Sequence, residues 1–333
     1  MAAKLQTNFS KLLGIEHPIM CGGMHHVSLA PMVAAVSNTG AIGFLTAVTQ
    51  PTPELLRAEI RKTRQLTAKP FGVNISFLPA ASPPDYEAYI KVILEEGVRI
   101  VETAGNNPGK YIRMLKDAGC IVIHKCVTIR HARTALKFGA DVISMDGFEC
   151  AGHPGMDDVG GLVLFAMACR ELGAPFIASG GIGTGIQLAA CLALGADGIN
   201  MGTRFMATVE APMHINIKQA LVDNDHTKTG LILRSLKNTE RVFLNDMALQ
   251  AAKAEQAKPG DFAVVREYIS GSKYKVSFQE TGDTNDSVWS CGQVMSLIKD
   301  IPTCQALVDD VVQEAITTIQ YRLNKMIVPG NKL

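Results

Sequence analysis

A histidine flanked by glycines, a lysine set in an apolar run and two glycine-rich turns are the residues of this chain best suited to chemistry. His153 ends the stretch Asp146-Gly147-Phe148-Glu149-Cys150-Ala151-Gly152-His153, which follows the apolar run Asp141-Val142-Ile143-Ser144-Met145. That run reads as a buried parallel strand, so Asp146 stands at its carboxyl end and Gly152 and His153 on the loop beyond. In α/β folds this is where reactions are carried out. An imidazole there can orient a substrate or move a proton near neutral pH. Further on, Pro175-Phe176-Ile177-Ala178-Ser179 runs into Gly180-Gly181-Ile182-Gly183-Thr184-Gly185, and Gly198-Ile199-Asn200-Met201 runs into Gly202-Thr203-Arg204. Glycines let backbone N–H groups approach a phosphate closely, and a helix amino terminus adds partial positive charge. Gly180, Gly181 and the helix starting near Thr184 are therefore expected on one side of a phosphate, with Gly202 and Thr203 on the other. Lys125 follows Ile121-Val122-Ile123-His124, a strand that should be buried, which favours a functional charge over a solvated one.

These residues need a scaffold that brings strand ends together. Short apolar runs recur at Pro18–Met20, Ala41–Leu45, Pro70–Ile75, Val98–Glu102, Cys120–His124, Asp141–Met145, Ala174–Ser179 and Asp197–Met201. Helix-period segments lie between them, among them Ser28–Asn38 with a serine cap and Gly40 beyond, and Thr184–Leu194 with a threonine cap and Gly195 beyond. Strands buried on both faces read as continuous apolar runs, and eight alternations match a (β/α)8 TIM barrel. An open doubly wound sheet is the alternative. The glycine run at 180–185 fails the Gly-x-Gly-x-x-Gly spacing, because counting from Gly181 the sixth position is Ile186, and it follows the seventh strand instead of the first.

After Arg204 the pattern changes. Residues 1–208 read as the barrel, 209–285 as an inserted, mainly helical cap, and 286–333 as carboxyl-terminal helices that complete the barrel. Tyr268–Gly282 is polar and glycine-rich, and helix spacing resumes over Ser287–Lys299 and Thr303–Asn324. A cap at this point of the chain would overhang the active-site face and help exclude water.

The 333 residues carry 32 basic and 31 acidic side chains, a net charge of +1, with no long block of either sign, which argues against a nucleic-acid or membrane surface. A 47% hydrophobic content suffices for a large core. Neither a signal peptide nor a run of about 18 apolar residues is visible, so a cytoplasmic enzyme working on small molecules is expected. The eight cysteines include no Cys-x-x-Cys pair and read as reduced thiols. His153, Asp157 and Asp158 lack a recognised metal-ligand spacing, Ser179 lacks the Gly-x-Ser-x-Gly order of a nucleophile elbow, and the apolar surroundings of Cys150, three residues before His153, disfavour it as a nucleophile paired with that histidine.

Read together with Met20-Cys21-Gly22-Gly23-Met24, Val101-Glu102-Thr103-Ala104-Gly105-Asn106 and Ile123-His124-Lys125-Cys126, these motifs resemble the nitronate monooxygenase (2-nitropropane dioxygenase) family of FMN enzymes. The resemblance is nearest to its bacterial NADH:quinone reductase branch, since nitronate monooxygenases usually carry an Asp-Ala-Gly-Gly-His histidine loop. It implies noncovalent FMN, NADH or NADPH as co-substrate, and a quinone acceptor. Nitronate oxidation with O2, a flavin-dependent enoyl reductase and a non-catalytic FMN protein are the other readings. Under the resemblance Gly22, Gly23 and Met24 would lie against the flavin ring, Asn74 at its pyrimidine edge and Lys125 beside N1 and O2. Asp146, Gly152, Gly180, Gly181, Met201, Gly202 and Thr203 would complete the cofactor site, with His153 and Lys125 catalytic. His25 and His26 stand where the reductases tend to carry bulkier apolar or amide side chains, and with Cys21 they bear on substrate preference.

Overall fold

The chain is described by a computed structural model over residues 3–77, 84–269 and 274–327. Eight parallel strands close into a barrel in chain order: β1 (Ile19–Cys21), β2 (Ile42–Thr46), β3 (Gly72–Phe77), β4 (Ile100–Gly105), β5 (Ile121–Cys126), β6 (Val142–Asp146), β7 (Phe176–Ser179) and β8 (Gly198–Asn200). Each expected strand is present, displaced by one to three residues. The barrel helices are α2 (Ala30–Asn38), α3 (Pro53–Leu66), α4 (Tyr86–Glu95), α5 (Gly109–Asp117), α6 (Ile129–Lys137), α7 (Gly161–Glu171) and α8 (Gly185–Ala193), preceded by α1 (Asn8–Leu13).

Alternation along the strands builds two layers inside the barrel. Met20, Ile42, Phe44, Ile100, Ile123, Val142 and Ile177 form one apolar cluster with Phe9 and Leu13 of α1, which closes the amino-terminal end. Gly72 makes room for the Phe44 ring, whose atoms would lie 2.2 Å from any Cβ there. Two residues further along several strands the inward positions turn polar: Glu102, Lys125, Ser144 and Ser179. The apolar floor excludes water, and the polar layer above it faces the carboxyl ends where the expected site residues converge.

Helix starts follow local chemistry. Thr184 caps α8 as expected, its hydroxyl accepting from the Gln187 amide at 3.3 Å, and Thr52 and Thr128 cap α3 and α6 in the same way. Ser28 does not cap α2. Its hydroxyl accepts from the Met24 amide at 2.9 Å and donates to the Gly22 carbonyl at 3.2 Å. The turn after β1 offers it closer partners than the helix does, and α2 begins at Ala30 without a side-chain cap.

Beyond β8 come α9 (Thr203–Met206), α10 (Ile215–Asp223), a hairpin of β9 (Thr229–Ile232) and β10 (Glu240–Phe243), α11 (Asp246–Ala257) and α12 (Cys304–Thr317). The hairpin departs from the expected run of helices. Residues 287–299 also form no long helix, because Ser290 bridges to Val242 of β10 and only Gln293–Leu297 coils as a 3-10 turn. Of the polar stretch Tyr268–Gly282, residues 270–273 lie outside the described part, as do 328–333 of the expected terminal helices.

Candidate active site

Four strands meet at a buried carboxylate. Glu102, fully buried at β4, accepts from the Gly23 amide at 2.8 Å and from Asn74 Nδ2 at 2.6 Å, and pairs with Lys125 Nζ at 3.4 Å. Gly22 and Gly23 have to be glycines for this cluster to form. A Cβ on Gly22 would lie 2.8 Å from Glu102 Oε1 and 3.2 Å from Lys125 Nζ, and one on Gly23 would lie 2.3 Å from the Asn74 Cβ. Lys125 therefore reaches from β5 across the mouth to β1, on the opposite side of the barrel. The Gly22 amide donates to Asn200 Oδ1 at 2.9 Å, and Asn200 Nδ2 donates to Ser179 Oγ at 3.0 Å, which continues the network to β7 and β8.

Burial opposes the charge on Lys125, but the Glu102 and Asp146 carboxylates outweigh it and hold the ammonium pKa above the ordinary lysine value. Burial raises the pKa of Asp146, with Lys125 and Ser179 opposing. Three buried polar atoms in this layer, Glu102 Oε1, Ser144 Oγ and Asp146 Oδ1, have no hydrogen-bond partner among the described residues. Such atoms ask for water or a polar ligand. Asn74 is partly committed already, since it donates to Glu102 and its Oδ1 accepts from Ser76 at 3.2 Å.

At the ends of β7 and β8 the amides of Gly180, Gly181, Gly202 and Thr203 meet no protein acceptor among the described residues. Gly180 and Gly181 have φ of +93° and +74°. The first amides of α8 are not available in the same way, because Glu314 of α12 accepts from Gly185 at 2.6 Å and from Ile186 at 3.2 Å. The expectation that this helix end faces a phosphate is corrected on that ground: a carboxylate already occupies it. Met24 Sδ approaches Gly202 and joins the first turn to the last, whereas the Met201 side chain is buried in the hydrophobic core.

His153 is exposed and has no hydrogen-bond partner among the described residues, and no contact among them draws it into the Lys125 cluster. Its loop is anchored elsewhere: Gly152 exchanges backbone hydrogen bonds with Arg241 of β10 at 3.1 and 2.6 Å. Cys150 is buried and its thiol pKa is pushed well up by burial, which leaves it unsuited to attack. His26 holds a left-handed φ of +59°, and its ring lies 4.0 Å from His25 and 5.7 Å from Tyr274. Burial lowers the pKa of both histidines.

The roles of Glu102, Asn200, Ser179 and Arg241 in this network were not read from the sequence. Only Glu102 left a signal there, as a carboxylate inside an apolar parallel strand.

A closed (β/α)8 barrel with buried charges at its carboxyl mouth and unpaired amides beside them has the layout of a barrel enzyme, whose chemistry is done at that end. Residues 6–314 match the nitronate monooxygenase family, and the chain belongs to it, an oxidoreductase in a family of flavin-dependent enzymes. It is 30% identical to a (3aS,4S,5R,7aS)-5-hydroxy-7a-methyl-1-oxo-octahydro-1H-indene-4-carboxyl-CoA dehydrogenase of Mycobacterium tuberculosis, over 95% of this chain and 98% of that one. It is 28% identical to a nitronate monooxygenase of Pseudomonas aeruginosa, over 90% and 96%. Among solved structures, FabK from Thermotoga maritima superposes with a TM-score of 0.89 at 33% identity, covering 97% of this chain and all of that one.

Proposed function

We propose that this oxidoreductase holds noncovalent FMN across the barrel mouth and uses it to pass two electrons from NADH or NADPH to a quinone. The observation that carries the reading is the joint presence of unpaired amides at the β7 and β8 turns and a fixed ammonium, Lys125, in the polar layer. FMN, when bound, supplies the two-electron chemistry. The amides of Gly180, Gly181, Gly202 and Thr203 suit its single phosphate. Lys125 offers positive charge where negative charge develops, and Glu102 keeps it extended across the mouth. His153, exposed past β6, would orient or protonate an acceptor. The balance is NAD(P)H, one proton and a quinone giving NAD(P)+ and a quinol. Denaturing the purified protein and identifying the released chromophore tests the cofactor: FMN is expected, and FAD, or a colourless protein that ignores added FMN, would overturn the reading.

A second reading, a flavin enzyme acting on acyl-CoA thioesters, is favoured by the name of the mycobacterial relative, whose identity exceeds that of the pseudomonad nitronate monooxygenase. Nitronate oxidation is the third. A panel of quinone, enoyl-CoA and nitronate substrates separates them by which one exchanges electrons with the flavin.

A further inference from the structure

We infer that Arg241 is a positioning residue: its buried guanidinium clamps the β6 loop so that His153 is presented to the acceptor. The inference rests on the role proposed for His153.

Arg241 lies on β10, far along the chain from the barrel strands, yet it is 3% exposed. Its Nε and Nη2 donate to the Phe148 carbonyl at 3.3 and 3.1 Å, Nη1 donates to Thr229 Oγ1 at 3.3 Å, and the guanidinium carbon sits 4.6 Å from the centre of the Phe148 ring. Its own backbone pairs in both directions with Gly152, the residue before His153. One side chain and one peptide unit thus grip both ends of the segment 148–152. The guanidinium makes no ion pair among the described residues. A buried cation with Glu149 and Asp158 nearby but no carboxylate in ion-pair contact is costly, and a barrel packed for stability alone is better served by an apolar side chain at this position. What the arginine provides is geometry, a planar fork that fixes a carbonyl and covers a ring at the same time. Phe148 lies in the loop that carries His153, so the conformation of that loop is set by the hairpin of the inserted segment.

The test is a double-mutant cycle on the FMN-loaded protein with Arg241→Lys and His153→Ala, read by quinone turnover, together with hydrogen exchange of the peptide spanning 147–155. Lysine keeps the charge and loses the fork. Arg241→Lys is expected to speed exchange in that peptide and to lower turnover about tenfold to 10²-fold, the scale of a misplaced catalytic group. In the His153→Ala background the same change is expected to cost less than about twofold, because the group it positions is already gone. Equal losses in both backgrounds would mean that Arg241 does not act through His153, and unchanged exchange and turnover would mean that it holds nothing. If His153→Ala alone is silent, the role proposed for His153 falls first and this inference with it. Should Arg241→Lys fail to fold, Thr229→Val, which removes one acceptor of the same guanidinium, is expected to give the same pattern at smaller size, and normal exchange in that variant would count against the clamp.

Discussion

Glu102 and Lys125 act on the charge of the barrel mouth in opposite senses, and that opposition is testable. With flavin bound, Lys125→Met is expected to lower the midpoint potential, because an ammonium near the reduced ring stabilises its negative charge, whereas Glu102→Gln is expected to raise it by removing a competing carboxylate. Charge-assisted contacts are worth about 1.5–3 kcal/mol, so both shifts should be resolved by spectroelectrochemical titration. Movement in the same direction would show that the pair does not tune the cofactor. Lys125 was legible in the sequence as a cation inside a buried strand. Glu102 was visible too, but its role was not, because its partners arrive from other strands, Asn74 at a separation of 28 residues and Gly23 at 79. Local spacing carries no trace of such a meeting.

At the scale of elements, the junction of α8 and α12 separates a stabilising contact from a ligand contact. Glu314 accepts from two amides at the start of α8, so Glu314→Ala is expected to destabilise the fold by about 1.5–3 kcal/mol in urea unfolding. FMN affinity is expected to change by less than about threefold, since the proposed phosphate donors lie on the turns before that helix. A large loss of affinity with unchanged stability would return the helix end to the ligand. The barrel elements were readable because each parallel strand is an apolar run and the threonine caps are local signals. The hairpin was not. Thr229–Ile232 and Glu240–Phe243 are short, mixed in polarity and given strand form by pairing with each other and with Gly152 and Ser290. Ser28 misled for the related reason that a hydroxyl takes the nearer partner, here the β1 turn.

For the whole molecule, the buried His124 links stability to pH. Burial, then His131, lowers its pKa from 6.5 to about 4, against a hydrogen bond with the Thr103 backbone. A folded pKa below the unfolded value means that the unfolded chain takes up a proton which the native state refuses. Its contribution is therefore fully present above about pH 6.5 and lost as pH falls towards 4, by up to about 3 kcal/mol at 1.36 kcal/mol per unit. Asp146, with its raised pKa, works in the other direction. The difference between the parent and His124→Asn isolates the histidine: urea unfolding at pH 7.5 and 5 should show a shallower pH dependence in the variant, and equal slopes would refute the assignment. The fold class and the family were legible along the whole chain because separated motifs agree in order, while the electron acceptor was not, because it depends on how loops from β1, β6 and the inserted segment face one another. The proposed function requires that a flavin in this barrel take electrons from a nicotinamide. Anaerobic stopped-flow mixing of the FMN-loaded protein with NADH, NADPH and propyl-2-nitronate in turn tests it directly. A reduced nicotinamide should bleach the flavin faster than the nitronate, with colour restored on adding quinone; faster bleaching by the nitronate, or none by either nicotinamide, would contradict the account.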